Sequence, residues 1–268
     1  MIIPELIGIP FDAYSSFLRG AAAAPSLIRK AFHSDASNSW TETGLDLSAP
    51  NVLTDAGDLT FPADDQVAFS LIEEGITKVL AREHAPITLG GDHSITYPIV
   101  KSLSRKYPKL TIVHFDAHPD LYQEFQGNPH SHACPFARIM ANNLASRLIQ
   151  IGIRTLNAHQ REQASRFGVE QYEMRNLPPR DLLKLKGPIY VSFDMDALDP
   201  AFAPGVSHRE PGGLSVREAL QYIHAINGTV VGADIVEYNP VRDLDGVTAV
   251  VAAKLLKEVA GLIIGAVQ

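Results

Sequence analysis

Several things are scarce in this sequence, and each scarcity removes a class of protein. Cys134 is the only cysteine, so no intrachain disulfide can form. That is unlike the disulfide-stapled domains of secreted proteins. It fits a reducing compartment, and a cytoplasmic protein is expected. A helix that crosses a membrane needs about twenty consecutive apolar residues, and no such stretch occurs. The longest apolar segment, Val247 to Val267, is broken by Lys254, Lys257, Glu258 and Gly261. The first residues, Met1-Ile2-Ile3-Pro4-Glu5, lack the basic start and long apolar run of a signal peptide. No run of Lys or Arg is present, and the formal net charge is −7. Nucleic acid is therefore not an expected partner, because neutralising phosphates takes clustered cations. A membrane is not an expected partner either. An acidic balance favours a cationic small molecule, weakly.

What is present is ordinary globular material. Hydrophobic residues make up 46% of the 268 residues and charged residues 20%, enough for a large core and too little charge for disorder. No low-complexity linker and no internal repeat divides the chain, so residues 1–268 are read as a single domain. Apolar runs of strand length fall at Glu5–Ile9, Asn51–Thr54, Ile87–Leu89, Thr111–Phe115, Leu148–Ile153, Val169–Gln171, Ile189–Phe193 and Val230–Val236. Several lack polar alternation, which suits parallel strands covered on both faces. Helical patterns separate them at Ala23–Phe32, Asp65–Glu83, Ser94–Tyr107, Phe136–Asn142, His159–Phe167, Val216–Ile226 and Gly246–Ala260. Strand-then-helix repeated along a chain predicts an α/β fold with a parallel sheet and right-handed crossovers.

Three of the strands end in a burst of Asp and His: Gly90-Gly91-Asp92-His93-Ser94, Asp116-Ala117-His118-Pro119-Asp120 and Asp194-Met195-Asp196-Ala197-Leu198-Asp199-Pro200. In a parallel α/β sheet the C-terminal strand ends open onto one edge, where ligands bind. The bursts are therefore expected to converge. If the strand continues, Asp194 and Asp196 point the same way, as do Asp116, His118 and Asp120. So many carboxylates in one pocket repel one another unless a cation neutralises them. Four Asp and two His suit two divalent ions with bridging carboxylates. Oxygen-rich ligation with some imidazole points to manganese, with other first-row ions open. Paired ions make hydroxide available near neutral pH. A neighbouring group must then protonate a leaving amine, and His132 and His130 both compete for that role. Glu237 closes the apolar strand Val230–Val236 on the same edge, where a carboxylate can pair with a planar guanidinium. Each feature has a plainer reading: an Asp-x-Asp turn, a capping His, a loop His, a surface Glu. Their joint occurrence is hard to explain that way.

Together these motifs resemble the ureohydrolase family of arginases and agmatinases. The motifs are Gly-Gly-Asp-His-Ser, Asp-Ala-His-Pro-Asp, Ser-Phe-Asp-Met-Asp-Ala-Leu-Asp-Pro and Asp-Ile-Val-Glu-Tyr-Asn-Pro. The likeness covers essentially the whole chain, including residues 15–20, 201–208 and 210–215, and looks most like plant-type arginases. The resemblance implies a three-layer αβα sandwich around an eight-stranded parallel sheet, two Mn²⁺ per subunit, and a homotrimer or homohexamer. It implies one ion on His93, Asp116, Asp120 and Asp194, and the other on His118, Asp116, Asp194 and Asp196. It makes His132 the proton shuttle and Glu237 the anchor of the guanidinium, so the catalytic set is His132, Asp120 and Glu237. Where animal arginases have an aspartate that contacts the α-amino group, this chain has Asn157. The loop with Asn128 and His130 lacks their Thr/Ser-rich run for the α-carboxylate. The expected reaction is release of urea from a guanidino substrate, L-arginine first. Agmatine, guanidinobutyrate and formiminoglutamate are the alternatives. A non-catalytic relative and a binuclear phosphoesterase are the rivals from other classes, the latter lacking basic residues near the bursts.

Overall fold

The computed structural model describes residues 2–63 and 65–265. Eight strands form one sheet: β1 (Ile3–Gly8), β2 (Thr54–Asp58), β3 (His84–Leu89), β4 (Thr111–Phe115), β5 (Arg147–Ile153), β6 (Glu170–Glu173), β7 (Lys184–Asp194) and β8 (Asn227–Val236). Their order is β2-β1-β3-β8-β7-β4-β5-β6, and every pairing is parallel. Helices α1 (Ala24–Phe32), α6 (Val216–Ala225) and α7 (Val247–Gly265) cover one face. Helices α2 (Ala68–Ala81), α3 (Thr96–Lys106), α4 (Pro135–Ala141) and α5 (Ala158–Phe167) cover the other. This is the expected three-layer sandwich.

Strand periodicity explains the two cores. Along β4, Val113 and Phe115 point into the α1/α6/α7 layer while Ile112 points into the α2–α5 layer. Along β8, Ala233 and Ile235 take the first side and Val231 and Val236 the second. Both faces are covered, so the strands read as unbroken apolar runs. The stripe Ile72, Ile76 and Val79 of α2 is fully buried, each side chain contributing about 1.5–3 kcal/mol.

The ends of the sheet differ from the sequence reading. Edge strand β2 runs Thr54–Asp58 rather than Asn51–Thr54, and its residues are mostly exposed. An edge strand needs only backbone pairing on one side, so an apolar run does not mark it. Strand β7 begins at Lys184, well before the apolar run at Ile189. Helix α7 extends to Gly265, past the expected Ala260. No helix among the described residues is long and apolar enough to cross a membrane.

The topology fixes where chemistry can occur. Strands β3, β8, β7 and β4 are consecutive in the sheet, and their C-terminal ends lead into residues 90–93, 237, 194–196 and 116–120. The chain passes from β3 to β4 by skipping two strand positions, and such switch points open a crevice at the carboxyl edge.

Candidate active site

The bursts leave their strands as tight turns rather than as continued strand. Strand β7 stops at Asp194 and a 3₁₀ turn covers Met195–Ala197, with Asp194 Oδ1 accepting the Asp196 amide at 2.7 Å. The expectation that Asp194 and Asp196 lie side by side by strand period therefore fails. The turn instead sends them to two different imidazoles. After β3, Asp92 rather than His93 caps the next turn, accepting the Ser94 amide at 3.0 Å. Gly91 is required here, since a Cβ would lie 1.7 Å from the Phe11 carbonyl oxygen. Asp120 and Glu237 both adopt left-handed backbone, φ 49° and 64°. Six other non-glycine residues share this conformation elsewhere, so it sets the aim of these two side chains without marking them as functional.

Two groups of ligand-type atoms result. His93 Nδ1 has no hydrogen-bond partner, yet it faces Asp116 Oδ2 at 3.2 Å, Asp120 Oδ2 at 3.1 Å and Asp194 Oδ2 at 3.2 Å. His118 Nδ1 lies 3.0 Å from Asp196 Oδ2 and 3.4 Å from Asp116 Oδ1. Asp116 thus gives one oxygen to each group. His93 and Asp116 are fully buried, Asp194 and Asp196 nearly so. Hard carboxylate oxygens with one imidazole per group are a donor set that fits first-row divalent ions.

Electrostatics points the same way. Burial, then Asp196 and Asp116, push Asp194 well above the usual carboxylate range. Burial and Asp116 raise Asp196 despite His118. Burial would raise Asp116 too, but His114, His118 and His93 hold it well below. Burial opposes charge on His93, yet Asp116, Asp120 and Asp194 raise it well above an ordinary histidine. Acids outnumber bases in this bed, and a cation relieves the strain.

Two supporting residues went unassigned in the sequence. His114 also comes close enough to join a metal group with His93 and Asp116. Its hydrogen bonds assign it otherwise. Gln150 Nε2 donates to His114 Nδ1 at 3.0 Å, which leaves Nε2–H to donate to Asp116 Oδ2 at 2.8 Å. His114 therefore orients Asp116. Asp234 lies beneath the site, fully buried. It accepts from Ser192 Oγ at 2.7 Å, Tyr190 Oη at 2.6 Å and Thr96 Oγ1 at 2.7 Å. Ser192 Oγ in turn sits 3.0 Å from His93 Nε2. This holds a proton on Nε2 and leaves Nδ1 as the nitrogen that would turn its lone pair to a cation, the usual arrangement behind a ligating imidazole. A buried Asp inside an apolar strand, ringed by a Tyr, a Ser and a Thr, was the available signal.

A cavity of about 240 Å³ opens over the carboxylates, lined by Ser16, His118, Asp120, Asp194, Asp196, His132, His208, Glu210 and Glu237 among others. The larger cavities, of about 560 and 880 Å³, lie away from these residues. Glu237 Oε1 accepts the His93 amide at 2.9 Å and contacts His132 Nδ1 at 2.7 Å. Both contacts fall on Oε1, so Oε2 is the oxygen left for a ligand. Burial disfavours charge on His132, but Glu237 and Asp92 raise it to about 9. Cations near Asp120 would bring it down. Asn157, Asn128 and His130 are not brought to the cavity. Asn157 caps α5 through the Gln160 amide and donates to Tyr122 Oη at 2.7 Å. Asn128 Oδ1 accepts the His130 amide, and the His130 ring packs against Tyr14 and Phe69.

A buried acid-and-imidazole bed at the carboxyl edge of a parallel sheet, with a shaped cavity above it, makes a candidate metal centre in an α/β protein. Comparison with known proteins gives the particular kind. A sequence model of the Arginase family matches residues 4–261. "Arginase 1, mitochondrial" of Arabidopsis thaliana is 50% identical, covering 97% of this chain and 80% of that protein. "Agmatinase" of Bacillus cereus is 35% identical, covering 94% and 89%. The solved arginase of Medicago truncatula superposes with TM-score 0.92 at 46% identity, covering 98% of this chain and 87% of that one. This chain belongs to the arginase family, and it is a ureohydrolase. The expectation of a cytoplasmic protein is overturned, because similar plant arginases carry mitochondrial or chloroplastic names. A single free cysteine reports on redox conditions and not on which compartment supplies them.

Proposed function

We propose that this enzyme hydrolyses the guanidinium of L-arginine to urea and L-ornithine on two manganese ions. The carrying observation is the split of Asp116, whose Oδ2 faces His93 and whose Oδ1 faces His118. In this reading His93, Asp116, Asp120 and Asp194 would hold one ion, and His118, Asp116, Asp194 and Asp196 would hold the other. Bound there, the pair supplies Lewis acidity that activates water near neutral pH. The chain's own groups do the rest. Glu237 Oε2 receives the guanidinium as a paired acceptor. His132 carries the proton owed to the leaving amine. The left-handed turns at Asp120 and Glu237 hold these groups in place before substrate arrives. The whole chain is read as one catalytic domain. Exposed Val241, Leu244, Val247 and Val250 form apolar surface that neighbouring copies would cover in a homotrimer or homohexamer.

Agmatine is the second reading, on a specific observation. No Lys or Arg is among the residues lining the cavity, and Asn157 is occupied as a cap. A decarboxylated substrate would need no cationic partner for an α-carboxylate. Urea release from arginine, agmatine and guanidinobutyrate after manganese loading ranks the readings. Arginine should give the highest kcat/KM. A clear preference for agmatine would replace the first reading by the second. Turnover of formiminoglutamate alone would overturn both.

A further inference from the structure

His132 has both ring nitrogens engaged. Nδ1 is 2.7 Å from Glu237 Oε1. Nε2 is 2.7 Å from Ser16 Oγ and accepts the Ser16 amide at 3.1 Å. The residue is 7% exposed. A ring held on both sides reaches a substrate only through one of its partners. Glu237 is committed to the guanidinium in the reading above. Ser16 lines the cavity, and its hydroxyl can accept one proton while donating another.

The loop that carries Ser16 is built to hold it there. Asp92 Oδ2 accepts the Tyr14 amide at 3.0 Å and Ser15 Oγ at 3.3 Å. The His132 amide donates to the Tyr14 carbonyl at 3.1 Å. Asp12 Oδ2 accepts the Gly20 and Ala22 amides, and Ser207 Oγ donates to the Leu18 carbonyl. Residues 12–20 are thus fastened to the segments that follow β3 and precede α4 and α6. A group fixed this way needs no rearrangement at the moment of reaction.

We propose that the Ser16 hydroxyl is the last member of the proton relay, passing the proton of His132 to the leaving amine. The inference rests on the ureohydrolase reading. In the neutral ring Nε2 accepts from Ser16; once protonated it gives up the amide contact, and the imidazolium passes its Nε2 proton to Ser16 Oγ as Oγ–H gives its own to the leaving nitrogen. The electron pair of the breaking C–N bond goes to that nitrogen. His132 is left neutral, with Nδ1–H on Glu237. The proton that recharges it comes from the attacking water by the same path.

Ser16→Ala removes the hydroxyl but keeps the residue 16 amide that anchors Nε2 of the neutral ring, so it separates relay from placement. The manganese-loaded variant should lose kcat by about a hundredfold or more, with KM, manganese content and Tm near wild type. Ser16→Thr should recover most of the loss. Ser16→Ala combined with His132→Ala should be no slower than His132→Ala alone, as members of one relay are not additive. A wild-type kcat in Ser16→Ala, losses that multiply in the double variant, or a loss that only tracks missing manganese would each overturn the relay. A wild-type chain that releases no urea from any guanidino substrate would instead defeat the functional reading.

Discussion

Two charge clusters of the molecule, one largely exposed around the buried Glu258 and one buried, are balanced in opposite ways. On the α6/α7 side, Glu42 pairs with Arg217 and Lys254, and Glu258 pairs with Lys254 and His224 while accepting the Glu42 amide. Two acids meet two permanent cations and an imidazole, and the cluster closes on protein groups alone. At the carboxyl edge of the sheet, Asp116, Asp120, Asp194 and Asp196 meet imidazoles and one another, with no Lys or Arg among the cavity lining. The first cluster is a structural brace. In the proposed function the second is completed by cations from outside the chain.

Breaking the second cluster should do the most damage. Asp116→Ala or Asp194→Ala should abolish urea release together with manganese binding, checked by elemental analysis beside the assay. Retained turnover in either variant would contradict the shared-ligand role. Glu237→Gln should lower kcat by about a hundredfold or more while manganese stays bound, since one preorganised electrostatic contact is worth that much. Loss of metal in that variant would make Glu237 a ligand instead.

Effects shrink with distance from the ions. Ser192→Ala removes the group that fixes the His93 tautomer and should weaken manganese binding about tenfold to a hundredfold, read by titration calorimetry. Asp234→Ala strands three hydroxyls and should cost about 3 kcal/mol of stability, read by denaturant unfolding of the metal-free protein.

The brace should respond least, and to acid. Hydrogen bonding from Arg217, with help from Lys254, lowers the Glu42 carboxyl to about 2 from 4.5. A lowered folded pKa adds stability above about pH 4.5 that is lost as pH falls toward about 2. Glu42 is 32% exposed on its side chain, so solvent screens the gain. Glu42→Gln should cost about 1 kcal/mol or less at pH 7 and nothing near pH 2. An equal cost at both pH values would show that packing, not charge, is lost.

The same contrast explains what the sequence disclosed. Asp and His at the ends of apolar strands were legible, because burying them without a partner is costly and the strand pattern placed them on one edge. The αβα layering was legible from unbroken Ile/Val/Leu runs. The turn at Met195–Ala197 was not, because period-2 reasoning assumes the strand continues. His114 and Ser192 were hidden because strand residues that face a neighbour look like core. The resemblance sets Asn157 where animal arginases have an aspartate at the substrate. Locally it reads as an N-cap with Gln160 three residues on, and the structure follows the local signal. Ser16 came with a matching motif and no role, since nothing in the spacing of residues 16 and 132 brings them together.

In the proposed function two shared divalent ions make the acid bed at the sheet edge tolerable. Elemental analysis of the purified chain, equilibrated with manganese and freed of excess, tests it most directly. Two manganese ions per chain are expected, and their removal by chelator should lower Tm. A chain that retains none, with unchanged Tm, would contradict the account.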